Sequence, residues 1–204
     1  MITLRLLVAS GMLISSASPL ENSEREIIEL DLSGKTIGED WKVTSGTVKV
    51  ENKELVGTGA IRLESARTFS DDFLLTFEAM TEEKANIEIK LLDETGKREL
   101  YTFAFLGRYH TVLDGVKSAI LKEDVFVKVD SRMWIFPGRF FKFKVERSGK
   151  DFKMFLNGQA GPEFKDPGAA AALKNFRIRI LHDSESAWDR ARFKNVKLEV
   201  PLRP

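Results

Sequence analysis

Residues 141–158 read Phe141-Lys-Phe-Lys-Val145-Glu-Arg147-Ser-Gly-Lys-Asp-Phe152-Lys-Met154-Phe-Leu-Asn157-Gly158. Apolar residues fall at 141, 143 and 145, and again at 152, 154 and 156, with lysine and glutamate filling most of the positions between. A period of two places alternate side chains on opposite faces of a pleated strand. Arg147-Ser148-Gly149-Lys150 separates the two runs, with glycine late in the loop where positive φ is wanted. The stretch therefore predicts a β-hairpin with one wet face, the habit of antiparallel sheets.

The same period runs outward through the chain. Phe73, Leu75, Phe77 and Ala79 alternate with Leu74, Thr76, Glu78 and Met80. Ile87, Ile89 and Leu91, then Phe176, Ile178 and Ile180, then Val196, Leu198 and Val200 do likewise. Asp93-Glu94-Thr95-Gly96 reads as a second hairpin turn. The one helical stretch, from Asp166-Pro167-Gly168-Ala169 to Leu173, spans about two turns with Asp166 as its cap. The fold class predicted is all-β: a two-sheet antiparallel sandwich or jelly roll with at most one or two short helices.

Composition narrows the function classes. Lys+Arg 32 against Asp+Glu 31 leaves a net charge of +1, too little positive field for a general nucleic-acid binder. With no cysteine there are no disulfides and no thiolate sites. Phenylalanine, 15 residues against 2 tyrosines, has no polar handle and is assigned to the core. Residues 1–17 read as a secretory signal peptide: Arg5, an apolar run from Leu6 to Ile14, then Ser15-Ser16-Ala17. Residues 24–201 are expected to form one domain, exported to the periplasm or the exterior, with no stable membrane span after the signal is removed.

Four stretches carry a resemblance: Trp41-Lys-Val43 with Gly46-Thr-Val-Lys-Val50 and Glu54-Leu-Val-Gly57; Phe69-Ser-Asp-Asp-Phe73-Leu-Leu-Thr-Phe77-Glu78; the Phe141 hairpin ending in Asn157-Gly158; and Phe193-Lys-Asn195-Val196-Lys-Leu198. In this order they resemble the concanavalin A-like (laminin-G-like) jelly rolls, and most closely the secreted bacterial domains of the 3-keto-disaccharide hydrolase type. The resemblance implies a carbohydrate-associated sandwich. It stops short of the ligand face. Where that family has "N-S-G" and "G-Y-E" steps, this chain has Ala85-Asn86-Ile87-Glu88-Ile89-Lys90 and Leu100-Tyr101-Thr102-Phe103. Pro137-Gly138-Arg139-Phe140 stands where a "W-N" is expected.

Three functions compete: glycan binding, hydrolysis of (3-keto-)glycosides, and a protein-interaction domain. Hydrolysis on a sandwich needs two carboxylates across the scissile bond. Glu78 and Glu88 are the candidates if their strands are neighbours; otherwise they are solvated acids paired with Lys90 or arginines. Sugar binding calls for an aromatic plate beside polar groups. Tyr101, Tyr109, His110, Arg132 and Trp134 are the candidates, against a reading in which Trp134 and Trp41 cap the core edges. No cofactor is indicated and no metal site is assigned, although His182-Asp183 with Glu185, or Asp71-Asp72, has the oxygen chemistry for calcium. Trp188 with Asp189-Arg190 is expected to fasten the last loop to the sandwich.

Overall fold

The computed structural model describes residues 24–34, 37–70, 72–106 and 117–202. The signal-like stretch, Asp71, Tyr109 and His110 lie outside them. In chain order the strands are β1 (Arg25–Glu29), β2 (Trp41–Glu51), β3 (Glu54–Ser65), β4 (Phe73–Thr81), β5 (Asn86–Asp93), β6 (Glu99–Leu106) and β7 (Ser118–Lys122). They continue with β8 (Val125–Asp130), β9 (Phe141–Ser148), β10 (Asp151–Leu156), β11 (Gln159–Lys165), β12 (Phe176–His182) and β13 (Arg190–Pro201). A single turn of helix, α1 (Ala169–Ala172), precedes β12. Its N-cap is Gly168; Asp166, two residues earlier, accepts the Gly168 N–H at 2.8 Å.

Pairing runs β11-β10-β9-β4-β13-β3-β12-β5-β6-β7-β8, all antiparallel, with β1 on β13 and β2 on β3. The path folds into two layers because β3 changes partner along its length. Residues 55–58 of β3 pair with β13, and residues 61–64 pair with β12. Gly59, between them, has φ +72, a left-handed value that glycine adopts without steric cost. The first layer is β11-β10-β9-β4-β13 and the second is β12-β5-β6-β7-β8. The structure is thus a concanavalin A-like jelly-roll sandwich.

Aromatic rings join the layers. Phe143 of β9 meets Phe105 of β6 edge-on at 4.9 Å. Phe152 of β10 lies 4.6 Å from Tyr101, and Phe73 lies 5.7 Å from Phe176. Ten of the fifteen phenylalanines are buried, so the ring-filled core read from the sequence is the one that forms. Along β4 the burial alternates residue by residue, Phe73, Leu75, Phe77 and Ala79 inward and Leu74, Thr76, Glu78 and Met80 outward.

Candidate functional site

The outer face of the first layer is a grid whose rows are set by register. Lys194 of β13 stands beside Glu78 of β4, which stands beside Lys142 of β9. One row along, Lys197, Thr76, Lys144 and Phe155 follow one another across β13, β4, β9 and β10. Thr76 is the short member of its row. Between the longer side chains of its neighbours it leaves a shallow hollow of about 380 Å³.

Two local devices shape the hollow. β13 slips register between Lys194 and Lys197, and Asn195, inside the slip, has φ +52. Such a bulge re-aims a side chain out of the regular alternation. Here it sends the Asn195 carboxamide to Glu78, donating from Nδ2 to Oε1 at 3.0 Å. At the other rim Asn157 and Gly158, φ +51 and +81, form the tight turn after β10, and Asn157 Oδ1 accepts the Lys142 backbone N–H at 2.9 Å. Phe155 forms a wall, with Lys144 Nζ 4.4 Å from its ring centre and 3.0 Å from Glu146. Lys142 has no ion-pair partner among the described residues and leaves a donor at the rim. A carboxylate, a carboxamide, an ammonium and a ring edge thus surround one space.

The expected pairing of Glu78 with Glu88 is corrected. Glu88 lies on β5, flanked by Ala104 of β6 and Leu181 of β12, in the second layer. Each glutamate sits between inward-facing neighbours and so points away from the core, on opposite sides of it. Stacked layers are about 10 Å apart, beyond any separation that serves two acids on one glycosidic bond. Glu88 is instead one arm of a triad. Lys90 Nζ is 3.3 Å from Glu88 and 2.7 Å from Glu99. Burial pushes the Lys90 ammonium down, but the Glu99 hydrogen bond and the Glu88 charge outweigh it, so its pKa lies above the ordinary value. The triad rims a smaller hollow of about 190 Å³ floored by Thr102 and Ala104, with half-exposed Phe126 at its edge.

Tyr101 is also corrected. It shares the inward phase of Phe103 and Phe105 and is 1 % exposed, so its ring is out of reach of a ligand on the surface. Its phenol donates to Asp166 Oδ2 at 2.5 Å, and Lys122 Nζ meets the same oxygen at 2.6 Å. Burial, reinforced by the Asp166 hydrogen bond and charge, pushes the phenol far above its ordinary range. Burial also raises the Asp166 carboxyl, but bonds from Lys122, Tyr101 and the Gly168 N–H more than reverse this and hold it below the usual value.

Arg132 and Trp134 lie on the β8–β9 connection, away from the hollow. Arg132 is exposed and forks onto Asp130, at 2.7 Å through one nitrogen and 3.1 Å through Nε. Trp134 rests on Phe136 at 4.5 Å, in a stack that continues to Phe141 and Arg139. The expected ring of Tyr101, Arg132 and Trp134 is therefore not assembled. Nor does His182 gather a cation site with Asp183 and Glu185. Its Nδ1 is 3.0 Å from the Asn86 carbonyl and its Nε2 3.2 Å from Asp189, wholly buried, while Asp183 and Glu185 are exposed. Among the described residues no three histidine or carboxylate side chains group as metal ligands do. Of the last loop's residues it is Asp189 that fastens, accepting the Glu83 and Lys84 N–H groups, whereas Trp188 is 85 % exposed.

Asn195, Lys142 and Phe155 did not stand out as site residues in the sequence. The only signal there is an asparagine within the closing strand, a residue that tolerates left-handed backbone.

No family model matches the chain, and no curated protein matches its sequence. Solved structures do match in fold. The carbohydrate-binding module CBM66 of Bacillus subtilis superposes with TM-score 0.55 at 16% identity, covering 79% of this chain and 96% of its own. A lectin from Bauhinia forficata, solved with GalNAc, gives TM-score 0.61 at 12% identity over 86% of this chain and 97% of its own. A Parabacteroides distasonis protein assigned provisionally to the glycosyl hydrolases gives TM-score 0.61 at 12% identity over 80% and 94%. These likenesses establish the shared sandwich, a scaffold found in carbohydrate-associated proteins, and the site must be argued on its own residues.

Proposed function

We propose that this protein binds glycans, and that a sugar ring sits in the hollow over Thr76. The observation that carries the reading is the Glu78–Asn195 pair, set by the β13 bulge beside Phe155 and Lys142 around one open space. Sugars carry hydroxyls beside apolar C–H faces. A carboxylate and a carboxamide with spare lone pairs, an ammonium and a ring match that mixture. The fold kinship with a carbohydrate-binding module and a lectin supports the same reading.

Binding is favoured over hydrolysis by the lining itself. Glu78 is the one carboxylate among the residues around the hollow. Both common glycosidase geometries need two, about 5–5.5 Å or about 6.5–9.5 Å apart. In the second layer the space between Glu88 and Glu99 is filled by the Lys90 ammonium, where a glycosidic oxygen would have to lie. With residues 1–17 read as an export signal, the ligands are glycans outside the cytoplasm.

A glycan array probed with the mature protein and with Thr76→Phe tests the reading. Thr76→Phe fills the hollow from an outward position and leaves the core untouched. Binding that the variant weakens at least tenfold, at unchanged melting temperature, is the expected result. Equal binding by both proteins, or none by either, rejects it.

A further inference from the structure

The loop between β12 and β13 presents the most exposed large apolar side chain among the described residues. Trp188 is 85 % exposed, while Trp41 is buried and Trp134 is half-covered by Phe136. The loop that carries it is clamped at several points. Asp189 is 1 % exposed and bonds His182 and the N–H groups of Glu83 and Lys84. Its carbonyl accepts the Gly59 N–H at 2.9 Å, and the Arg190 carbonyl accepts the Glu82 N–H at 2.8 Å. Within the loop, Trp188 N–H donates to Ser186 Oγ and Ser186 N–H to Ser184 Oγ. The backbone is thus fixed while the indole at its tip is left in water. With the backbone held, only the two side-chain torsions of the indole remain to be ordered when something stacks on it.

The surroundings select the occupant. Among the described residues the other exposed large apolar ones, Ile27, Val125, Phe126, Val129 and Leu202, sit on β1, β8 and the C-terminal end, so the indole joins no apolar patch formed by them. A protein interface needs a contiguous face of roughly 800 Å² per partner with an apolar centre. The flanking exposed charges are Asp183, Glu185, Glu82 and Glu83 against Lys84 and Arg190, an acidic balance that repels anionic lipid and acidic sugars. A lone flat ring edged with hydroxyls and carboxylates fits a small ligand with one apolar face and polar edges.

We infer that Trp188 is a second sugar-binding surface: an exposed plate on a fixed loop for the C–H face of an uncharged or amino-bearing sugar ring. It shares the ligand class proposed for the hollow and none of its residues.

The test uses intrinsic fluorescence, because Trp188 is the most exposed of the three tryptophans, with Trp41 buried and Trp134 half-covered. The protein is titrated with cello-oligosaccharides, chitosan oligosaccharides and heparin, and the glycan array is repeated with Trp188→Ala and Trp188→Phe. The expected result is a blue shift and protection from acrylamide quenching with a neutral or amino-bearing probe, and none with heparin. On the array Trp188→Ala loses at least tenfold for such glycans and Trp188→Phe loses less, with unchanged melting. Thr76→Phe keeps the blue shift. The inference is overturned by emission that none of the probes alters, or by array binding of Trp188→Ala equal to that of the natural protein. Binding lost in Thr76→Phe but intact in Trp188→Ala leaves the hollow standing and removes this surface. The reverse pattern removes the hollow alone.

Discussion

Asn195 reaches Glu78 from a backbone position with positive φ, 3.0 Å across the boundary between two strands. The bulge and the contact are separable. Asn195→Gly suits the left-handed backbone and deletes the carboxamide; Asn195→Ala deletes it and adds strain of about 1–2 kcal/mol. The first variant should melt like the natural protein and the second should melt lower. Both should bind glycan about tenfold more weakly, the effect of one hydrogen bond of about 1.4 kcal/mol. Denaturant melts with array titrations read the two effects apart.

Phe77 and Phe143 are cross-strand partners, stacked at 4.8 Å and 9°, and both are buried. Replacing either with alanine should cost about 3–5 kcal/mol. Because the rings touch, the double variant should lose less than the sum of the single losses. Urea unfolding of the three variants measures this; near-native stability in the double variant would contradict the layer assignment.

The Tyr101–Asp166–Lys122 cluster predicts the pH profile of stability. Asp166 has a folded pKa below its ordinary 3.8, so its contribution is present above that value and disappears as the pH falls through the folded one. Tyr101 has a folded pKa above its ordinary 10.0, so its contribution is present below pH 10.0 and is lost as the pH rises beyond. Asp166→Asn should flatten the acid limb and Tyr101→Phe the alkaline limb, as read from melting temperatures across pH 2 to 12.

Much of the sandwich was legible because strand period is a local property. The phase of Phe73, Leu75 and Phe77 is visible without knowing their neighbours. That same phase places Tyr101 inward with Phe103 and Phe105, where the Asp166 carboxylate satisfies its hydroxyl, so the expected ligand role fails on periodicity alone. Which strands lie side by side is set by pairings far apart in sequence. β4 and β5 follow one another over a four-residue connection yet lie in opposite layers, so Glu78 and Glu88 could not be separated by spacing alone. Ser184 to Asp189 has no period, and whether Trp188 or Asp189 turns inward depends on His182, a buried partner at the end of the preceding strand. The hollow depends on the register that sets short Thr76 beside Lys144 and on a bulge in a third strand, neither of which the sequence displays.

The site itself is tested most directly by mapping backbone amide shifts in an ¹⁵N-labelled sample as the best array ligand is added. The predicted result is perturbation centred on Thr76, Glu78, Lys142, Phe155 and Asn195. Shifts confined to Glu88, Lys90 and Thr102 on the other layer, with the β13 bulge silent, would contradict it.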